Sequence, residues 1–206
     1  MKKILLMTAV VMMAATSVKA QHEEGEMTIQ PRVGVTLSNL TDTDDSKMKV
    51  NICYGAELEN YLTDQFSLSA GLLFTDQGAK IEDASGDYKM SLYYATFPIT
   101  ASYYVLPGLA VKAGVQPAYR VKARVEQGSE KIDYDRFIDF LKVYYDDNDL
   151  EMNKFDLSIP VGLSYEISGI TLDVRYNFGV TKLLSGIDNS VHNRVFAVTL
   201  GYKLGF

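Results

Sequence analysis

The sequence predicts an all-β protein, an 8-stranded antiparallel up-and-down transmembrane β-barrel with short periplasmic turns and longer extracellular loops. Three observations lead to this prediction: segments of strand length in which large apolar residues alternate with small or polar ones, tight turns between some of them, and an N-terminal segment typical of exported proteins. After that N-terminal segment, no window is apolar over the ~20 residues that a membrane-spanning helix needs. A barrel strand needs only one apolar face.

The N-terminal segment has the features of a cleaved secretory signal peptide. Lys2 and Lys3 precede an apolar run over residues 4–15. Val18 and Ala20 are the small residues at positions −3 and −1 before a cleavage site that follows Ala20. The apolar run is too short for a membrane anchor. We therefore predict a signal peptide over 1–20, a short periplasmic tail over 21–27 and the outer-membrane β-barrel domain over 28–206.

The alternation is clearest between Asn193 and Phe206, where every second residue is large and apolar. The intervening positions are mainly small, polar or charged, and the same pattern recurs in 155–166 and 171–180. A soluble barrel would place its large apolar residues inside. The observed pattern instead predicts a lipid-facing outer surface and a polar lumen.

Short and long connections alternate along the chain. Thr63-Asp64, Pro107-Gly108 and Ser168-Gly169 predict tight turns, and the first strand is expected at 32–40. Long polar loops are expected at about 41–49, 77–91, 124–153 and 184–192. This asymmetry is typical of bacterial outer-membrane barrels and predicts that both termini are periplasmic.

Charged residues occupy many of the positions predicted to face the lumen. An eight-stranded barrel has an interior only just wide enough for its own side chains, and buried charges persist mainly when they are paired. We therefore expect a lumen filled by an ion-pair network, in preference to a proton or ion path. Its members are Arg32, Glu57, Glu59, Lys112, Arg120, Lys122, Asp156, Glu166, Asp173, Arg175 and Lys203.

Three prolines, Pro98, Pro117 and Pro160, lie within predicted neighbouring strands. Each removes a backbone donor from the strand ladder. The expected consequence is a β-bulge at each proline that helps to set the barrel's curvature. The alternative is weakened strand pairing that opens a lateral gate for lipid.

The longest loop, 124–153, contains aromatic and aliphatic residues at helical spacing. They form a candidate surface-recognition element, and the alternative is a short helix packed on the barrel mouth. These residues are Tyr134, Phe137, Phe140, Leu141, Tyr144 and Tyr145. The acidic clusters at 42–45 and 146–149 match no calcium-loop spacing, so no metal site is predicted.

No catalytic residue and no cofactor are predicted, and we expect the protein not to be an enzyme. His22 is expected in a loose tail, and His192 lies near Asp188 and Ser190 in a polar loop without further support for a catalytic group. With a sequence pI near 5.0, the chain lacks the basic character of a nucleic-acid-binding protein.

Several segments resemble the PorT-like, Bacteroidetes-type outer membrane protein β-barrel domain family, often labelled porin-family proteins. They are residues 33–40, 97–99 and 172–179 and the C-terminal segment 193–206. The resemblance implies an integral protein of the bacterial outer membrane. The C-terminal pattern of this chain resembles the signal by which the barrel assembly machinery recognises such proteins. Its residues are Tyr202, Leu204 and Phe206.

That resemblance does not imply a single activity. We expect a structural or surface-interaction role through the extracellular loops. The expected partners are outer-membrane lipid or lipopolysaccharide, the barrel assembly machinery, and envelope or secretion proteins, with no nucleic acid. Two alternatives remain: an accessory component of an outer-membrane secretion or translocation system, and an outer-membrane lipid-modifying enzyme.

Overall fold

The computed structural model describes residues 22–40, 46–47, 49–77, 80–83, 86–127, 130–133, 151–181, 184–185 and 192–206. Within these ranges there is no helix that is long and apolar enough to cross a membrane. The strands are β1 (Met27–Leu40), β2 (Ser46–Lys47), β3 (Lys49–Thr63), β4 (Phe66–Gln77), β5 (Lys80–Asp83), β6 (Gly86–Thr96), β7 (Ile99–Leu106), β8 (Leu109–Gln127), β9 (Glu130–Asp133), β10 (Glu151–Met152), β11 (Phe155–Ile167), β12 (Ile170–Gly179), β13 (Leu184–Ser185), β14 (Asn193–Tyr202) and β15 (Leu204–Gly205).

The strands close into an 8-stranded antiparallel barrel, which confirms the predicted fold class. Its wall consists in order of β1, β3, β4, β6 with β7, β8, β11, β12, and β14 with β15. Closure occurs between the first and last strands, which pair from Arg32–Gly201 to Leu40–Asn193. Because β1 pairs with β14, neither the first nor the last strand of the sheet leaves an open edge in hydrocarbon.

Three tight turns lie at one end of the barrel, at Asp64–Gln65, Pro107–Gly108 and Ser168–Gly169. Ser168 and Gly169 both have positive φ, 51° and 79°, as a two-residue hairpin turn requires. The first turn lies one residue later than the predicted Thr63-Asp64. We call this end, which also holds both ends of the described chain, the turn end, and the opposite end the loop end.

At the loop end the strands continue into segments that were expected to be loops. β5 and β6 form a hairpin within 77–91, and β8 extends to Gln127 and pairs with β9 within 124–153. At the turn end, β1 begins at Met27 rather than Arg32. Beyond the hydrocarbon layer both faces of a strand are exposed to water, so the alternation of apolar and polar residues ends there. The backbone pairing of the strands continues farther. The loop boundaries predicted from alternation were therefore wrong.

Large apolar side chains cover the outer surface of the barrel. Aromatic side chains form a girdle near each end, as interfacial aromatic belts do. Near the loop end these are Tyr54, Phe74, Tyr93, Tyr119, Phe155, Phe178 and Phe196, and near the turn end Phe66, Tyr103, Tyr165 and Phe206. The inner surface is polar, and its buried residues are mostly Ser, Thr, Asn, Gln and charged side chains.

The three prolines do not mark bulges, so that prediction was wrong. The backbone N–H of Gly71 donates to the carbonyl of Pro98 at 3.0 Å, and the N–H of Phe97 donates to the carbonyl of Pro117 at 2.8 Å. The strands keep one register across each proline: Leu73–Thr96 and Ala70–Ile99 around Pro98, Thr96–Ala118 and Ile99–Val115 around Pro117, and Ser158–Gln116 and Val161–Ala113 around Pro160. Strand pairing on both sides of each proline also disfavours a lateral gate at these positions.

Candidate functional site

The expected lumen charges fall into a central cluster, a cluster at the turn end and a pair of residues nearer the loop end. Ten of the eleven are buried: Arg32, Glu57, Glu59, Lys112, Arg120, Asp156, Glu166, Asp173, Arg175 and Lys203. Lys122 is exposed on the outer surface and does not belong to the lumen. The register of β8 with β6 shifts between Lys122–Tyr93 and Arg120–Tyr94, so β8 exposes both Val121 and Lys122. Strict alternation fails at such a bulge.

The central cluster joins five side chains, Arg32, Glu57, Lys112, Asp173 and Arg175. Arg32 pairs with Glu57 at 3.2 Å and with Asp173 at 3.1 Å. Arg175 pairs with the same two carboxylates, at 3.1 and 3.2 Å, and Lys112 lies 3.3 Å from Asp173. Arg32 on β1 therefore links β3 with β12, and Arg175 on β12 reaches β3, so that each carboxylate is shared between cations. Such sharing offsets the desolvation of charges that are almost fully buried.

The turn-end cluster is built around the ammonium group of Lys203. This group lies 2.9 Å from Glu59 and 2.7 Å from Glu166, and it donates hydrogen bonds to the hydroxyl groups of Tyr61 (2.5 Å) and Tyr104 (3.0 Å). The Tyr104 hydroxyl also lies within hydrogen-bond distance, 3.0 Å, of Glu59. The charged members of this cluster were predicted from the sequence, but the two tyrosines were not. The inward position of Tyr61 follows from the alternation that places Glu57 and Glu59 in the lumen, and that of Tyr104 from its place next to the exposed Tyr103 on β7.

His22 closes the turn end of the lumen and does not lie in a loose tail, so that expectation was wrong. Its ring stacks on Tyr61, with centroids 4.0 Å apart and planes at 15°. Nε2 lies 3.1 Å from Glu166 and Nδ1 lies 2.9 Å from Glu26. The backbone of the tail is also held, because the N–H of Gly25 donates to the carbonyl of Tyr61 at 2.7 Å.

The pKa of His22 is raised above its ordinary value of 6.5. Burial opposes protonation and is the largest single influence, but the hydrogen bond and negative charge of Glu166, helped by Glu26, outweigh it. The protonated ring can donate from both nitrogens, one to each carboxylate. The charge of His22 therefore strengthens the attachment of the tail to the barrel.

Nearer the loop end, smaller polar contacts replace the dense ion pairs. The carboxylate of Asp156 accepts a hydrogen bond from Thr181 at 2.5 Å, and Arg120 is buried close by in the adjacent strand. Lys49 pairs with Asp76 at 2.9 Å. His192, the weak catalytic candidate, contacts the backbone carbonyl of Thr181 through Nδ1 at 3.0 Å. This hydrogen bond to the backbone indicates a structural role for the ring.

Between these clusters, very small cavities lie in the lumen of the described barrel. They measure about 20 and 10 Å³, the first lined in part by Arg32, Cys53 and Arg175 and the second by Gln77, Asp156 and Asn193. Each is about the size needed for one water molecule. Both of these cavities are therefore far smaller than a solute molecule.

The six candidate recognition residues at 134–145 lie outside the described residues, as do Asp188, Ser190 and the acidic clusters at 42–45 and 146–149. Within the described part of the chain, no group of three His, Cys, Asp or Glu side chains is arranged to hold a metal ion.

Comparison with known proteins agrees with this architecture. The solved structure of Ail, the attachment invasion locus protein of Yersinia pestis, is similar over 88% of this chain and 99% of its own, with 14% identity and a TM-score of 0.51. Neisserial surface protein A (NspA) is similar over 88% of this chain and 100% of its own, with 13% identity and a TM-score of 0.52. At these identities the similarity supports the fold alone.

A search of curated proteins gave no match. The family model described as "Outer membrane protein beta-barrel domain" matches residues 19–185, most of the chain. Together with the closed eight-stranded wall and its lipid-facing apolar surface, this match identifies the chain as a member of the outer membrane protein β-barrel domain family, located in the bacterial outer membrane.

Proposed function

We propose that this protein is a non-conducting, non-enzymatic barrel that acts through its loop end as a surface-interaction protein. The observation that supports this most strongly is the lumen, which the central and turn-end clusters fill from wall to wall. A barrel whose interior consists of shared ion pairs is unsuited to passing solutes. Its ends are then the surfaces available for function.

The proposed orientation places the turn end and both termini in the periplasm and the loop end outside the cell. It is supported by the three tight turns at one end and by the predicted signal peptide over 1–20. Strand pairs β5–β6 and β8–β9 extend the backbone of the barrel wall at the loop end beyond the aromatic girdle. The six residues at 134–145 remain the candidate recognition element on that side.

The names of the similar structures fit a surface role by analogy only. Ail is named an attachment invasion locus protein, and NspA a surface protein. Unrelated functions occur on one fold, so this analogy does not identify a partner. It supports a function on the outer side of the membrane.

Conductance in planar lipid bilayers tests the closed lumen. We expect no stable channel steps from the purified full chain, whereas a porin-like step would contradict the proposal. A matched variant, Lys112→Ala with Arg175→Ala, removes two central cations and should increase any residual leak if these side chains block the lumen.

Trypsin treatment of intact cells tests the orientation. The predicted loop 124–153 contains Lys131 and Lys142, so cleavage there in intact cells is expected if the loop end is outside. Cleavage only after the outer membrane is permeabilised would contradict the orientation.

The PorT-like resemblance supports one finer proposal, an accessory role in an outer-membrane secretion system. Cross-linking of intact cells followed by purification should then recover a defined envelope complex. Recovery of the barrel without other envelope proteins would favour the loop-end role without a secretion system. The proposed assembly partner, the barrel assembly machinery, would contact the C-terminal strand, where Tyr202, Leu204 and Phe206 all face outward.

A further inference from the structure

The barrel wall has an interruption between β3 and β4 near the loop end. Their backbone pairing runs from Thr63–Phe66 to Cys53–Thr75 and stops there, although β3 continues to Lys49 and β4 to Gln77. Farther along, β2 and β5 pair again through Ser46–Ile81. That pairing is offset by one residue from the register below, so the described segments 49–52 and 76–77 are not paired with each other.

Side chains close the lumen face of this interruption. The ammonium group of Lys49 lies 2.9 Å from the carboxylate of Asp76 and donates to the hydroxyl of Ser91 at 2.7 Å. The hydroxyl of Thr36 donates to the backbone carbonyl of Asp76 at 3.3 Å. An ion pair and two hydrogen bonds thus replace the missing backbone ladder and separate the lumen from the lipid-facing side.

On the lipid-facing side the interruption forms an apolar groove of about 550 Å³. Volumes of ~300–1,000 Å³ are typical of sites for small ligands. Val50 and Ile52 are 66% and 63% exposed, more than every other large hydrophobic side chain in the described chain except Phe206. The outward-facing lining residues are Val50, Ile52, Tyr54, Phe74, Tyr93, Val121 and Lys122.

Lys122 gives this groove a positive charge. The β8 bulge opposite Tyr93 turns Lys122 out of the lumen and into the groove. The other charged lining residue, Asp76, is already paired with Lys49. Among the described side chains no carboxylate pairs with Lys122, which leaves its ammonium group available to an anion at the loop end of the groove.

We propose that this groove binds one acyl chain of a phosphorylated glycolipid of the lipid A type, whose phosphate is held by Lys122. Tyr54, Phe74 and Tyr93 belong to the loop-end aromatic girdle, so the groove lies at the membrane interface, where an acyl chain and its phosphate can both reach it. Selectivity then comes from the shape of the groove and from the charge. The interrupted pairing of β3 and β4 supplies the shape, and the bulge in β8 positions the cation. The choice of an outer-leaflet glycolipid rests on the proposed orientation of the loop end.

Native mass spectrometry of the full chain in detergent micelles tests the proposal, with lipid A and dephosphorylated lipid A as probes. Lys122→Gln should weaken binding of lipid A by about tenfold, the usual cost of losing one charge-assisted contact. It should leave binding of dephosphorylated lipid A unchanged. Lys154→Gln, an exposed lysine outside the groove, is the matched control and should change neither affinity.

Ile52→Asn tests the acyl-chain part of the groove and should weaken binding of both probes. Leu200→Asn changes a similarly exposed side chain on β14, 55% exposed, and should have no effect. Gel mobility of each variant in SDS, before and after heating, shows whether it has folded. If Ile52→Asn fails to fold, the conservative Lys122→Gln variant still tests the proposal.

Equal weakening by Lys122→Gln and Lys154→Gln would overturn the proposal, because the charge effect would then be nonspecific. Equally tight, Lys122-dependent binding of phosphatidylglycerol would overturn the glycolipid assignment. Binding in micelles does not depend on which way the barrel crosses the membrane. Failure of the groove is therefore distinguishable from failure of the proposed orientation, which the trypsin experiment tests separately.

Discussion

The imidazole ring of His22 stacks on the phenol ring of Tyr61, with 4.0 Å between their centroids. Tyr61 in turn accepts a hydrogen bond from Lys203, so the tail, β3 and the C-terminal strand meet at one point. The lumen is thus closed at the turn end by the segment that directly follows the predicted signal peptide. Cleavage after Ala20 would leave His22 as the second residue of the mature chain.

The contact with Glu166 gives the tail a pH dependence. Because the pKa of His22 is raised in the folded protein above its ordinary 6.5, the stabilisation is complete below about pH 6.5 and is lost as pH rises through the folded-state pKa. The chain has only two histidines, so the ring signals can be followed by NMR, with His192→Gln used for assignment. We expect the His22 titration midpoint to lie above 6.5, and a midpoint at or below that value would contradict the contact.

Removing His22 should release the tail without unfolding the barrel. Glu23, Glu24 and Glu26 are sites for a glutamate-specific protease, and we expect His22→Ala to be cleaved there several times faster than the wild type near pH 6. The difference should shrink at higher pH, where wild-type His22 is neutral. If the wild type and His22→Ala are cleaved at equal rates at both pH values, His22 does not hold the tail.

Glu57 should be among the most sensitive positions in the barrel. Glu57→Gln leaves Arg32, Lys112 and Arg175 with Asp173 as their shared carboxylate, so the free energy of unfolding should fall by about 3–5 kcal/mol, as when one partner of a buried ion pair is lost. Urea-induced unfolding in detergent or lipid vesicles measures it. Adding Lys112→Met should recover part of the loss, whereas a further loss of similar size would contradict charge balance as the cause.

The register of closure can be tested by a disulfide between the first and last strands. Val35 and Val198 are paired across β1 and β14, and the chain's own thiol is removed by Cys53→Ser. A Val35→Cys/Val198→Cys variant should cross-link on oxidation. A Val35→Cys/Leu200→Cys variant, in which the second cysteine is two residues out of register, should cross-link much less. Equal cross-linking of the two variants would mean that β1 and β14 do not pair in this register.

The sequence was most informative where lipid and lumen impose opposite demands on alternate residues. Phe196, Leu200 and Tyr202 alternate with Ala197 and Thr199, and that contrast alone defines a strand and both of its faces. The turn at Ser168-Gly169 was equally predictable, because glycine readily adopts the positive φ that the turn needs.

Other features depend on information that alternation lacks. Lys122 was misplaced because a bulge in β8 shifts the face of every following residue, and no residue type near 121 signals a bulge. His22 was missed because its partner Glu166 is 144 residues away, and only the closed barrel brings the two together. The prolines were misjudged since a strand can lose one donor and keep its register through neighbouring hydrogen bonds.

The central claim, a closed barrel integral to the outer membrane, is tested most directly by gel mobility of the protein from isolated outer membranes, unheated and boiled in SDS. A closed barrel resists SDS until it is heated, so we predict recovery in the outer-membrane fraction and a change in mobility on boiling. A protein released as a soluble species, with the same mobility before and after boiling, would contradict the lipid-facing register of the strands.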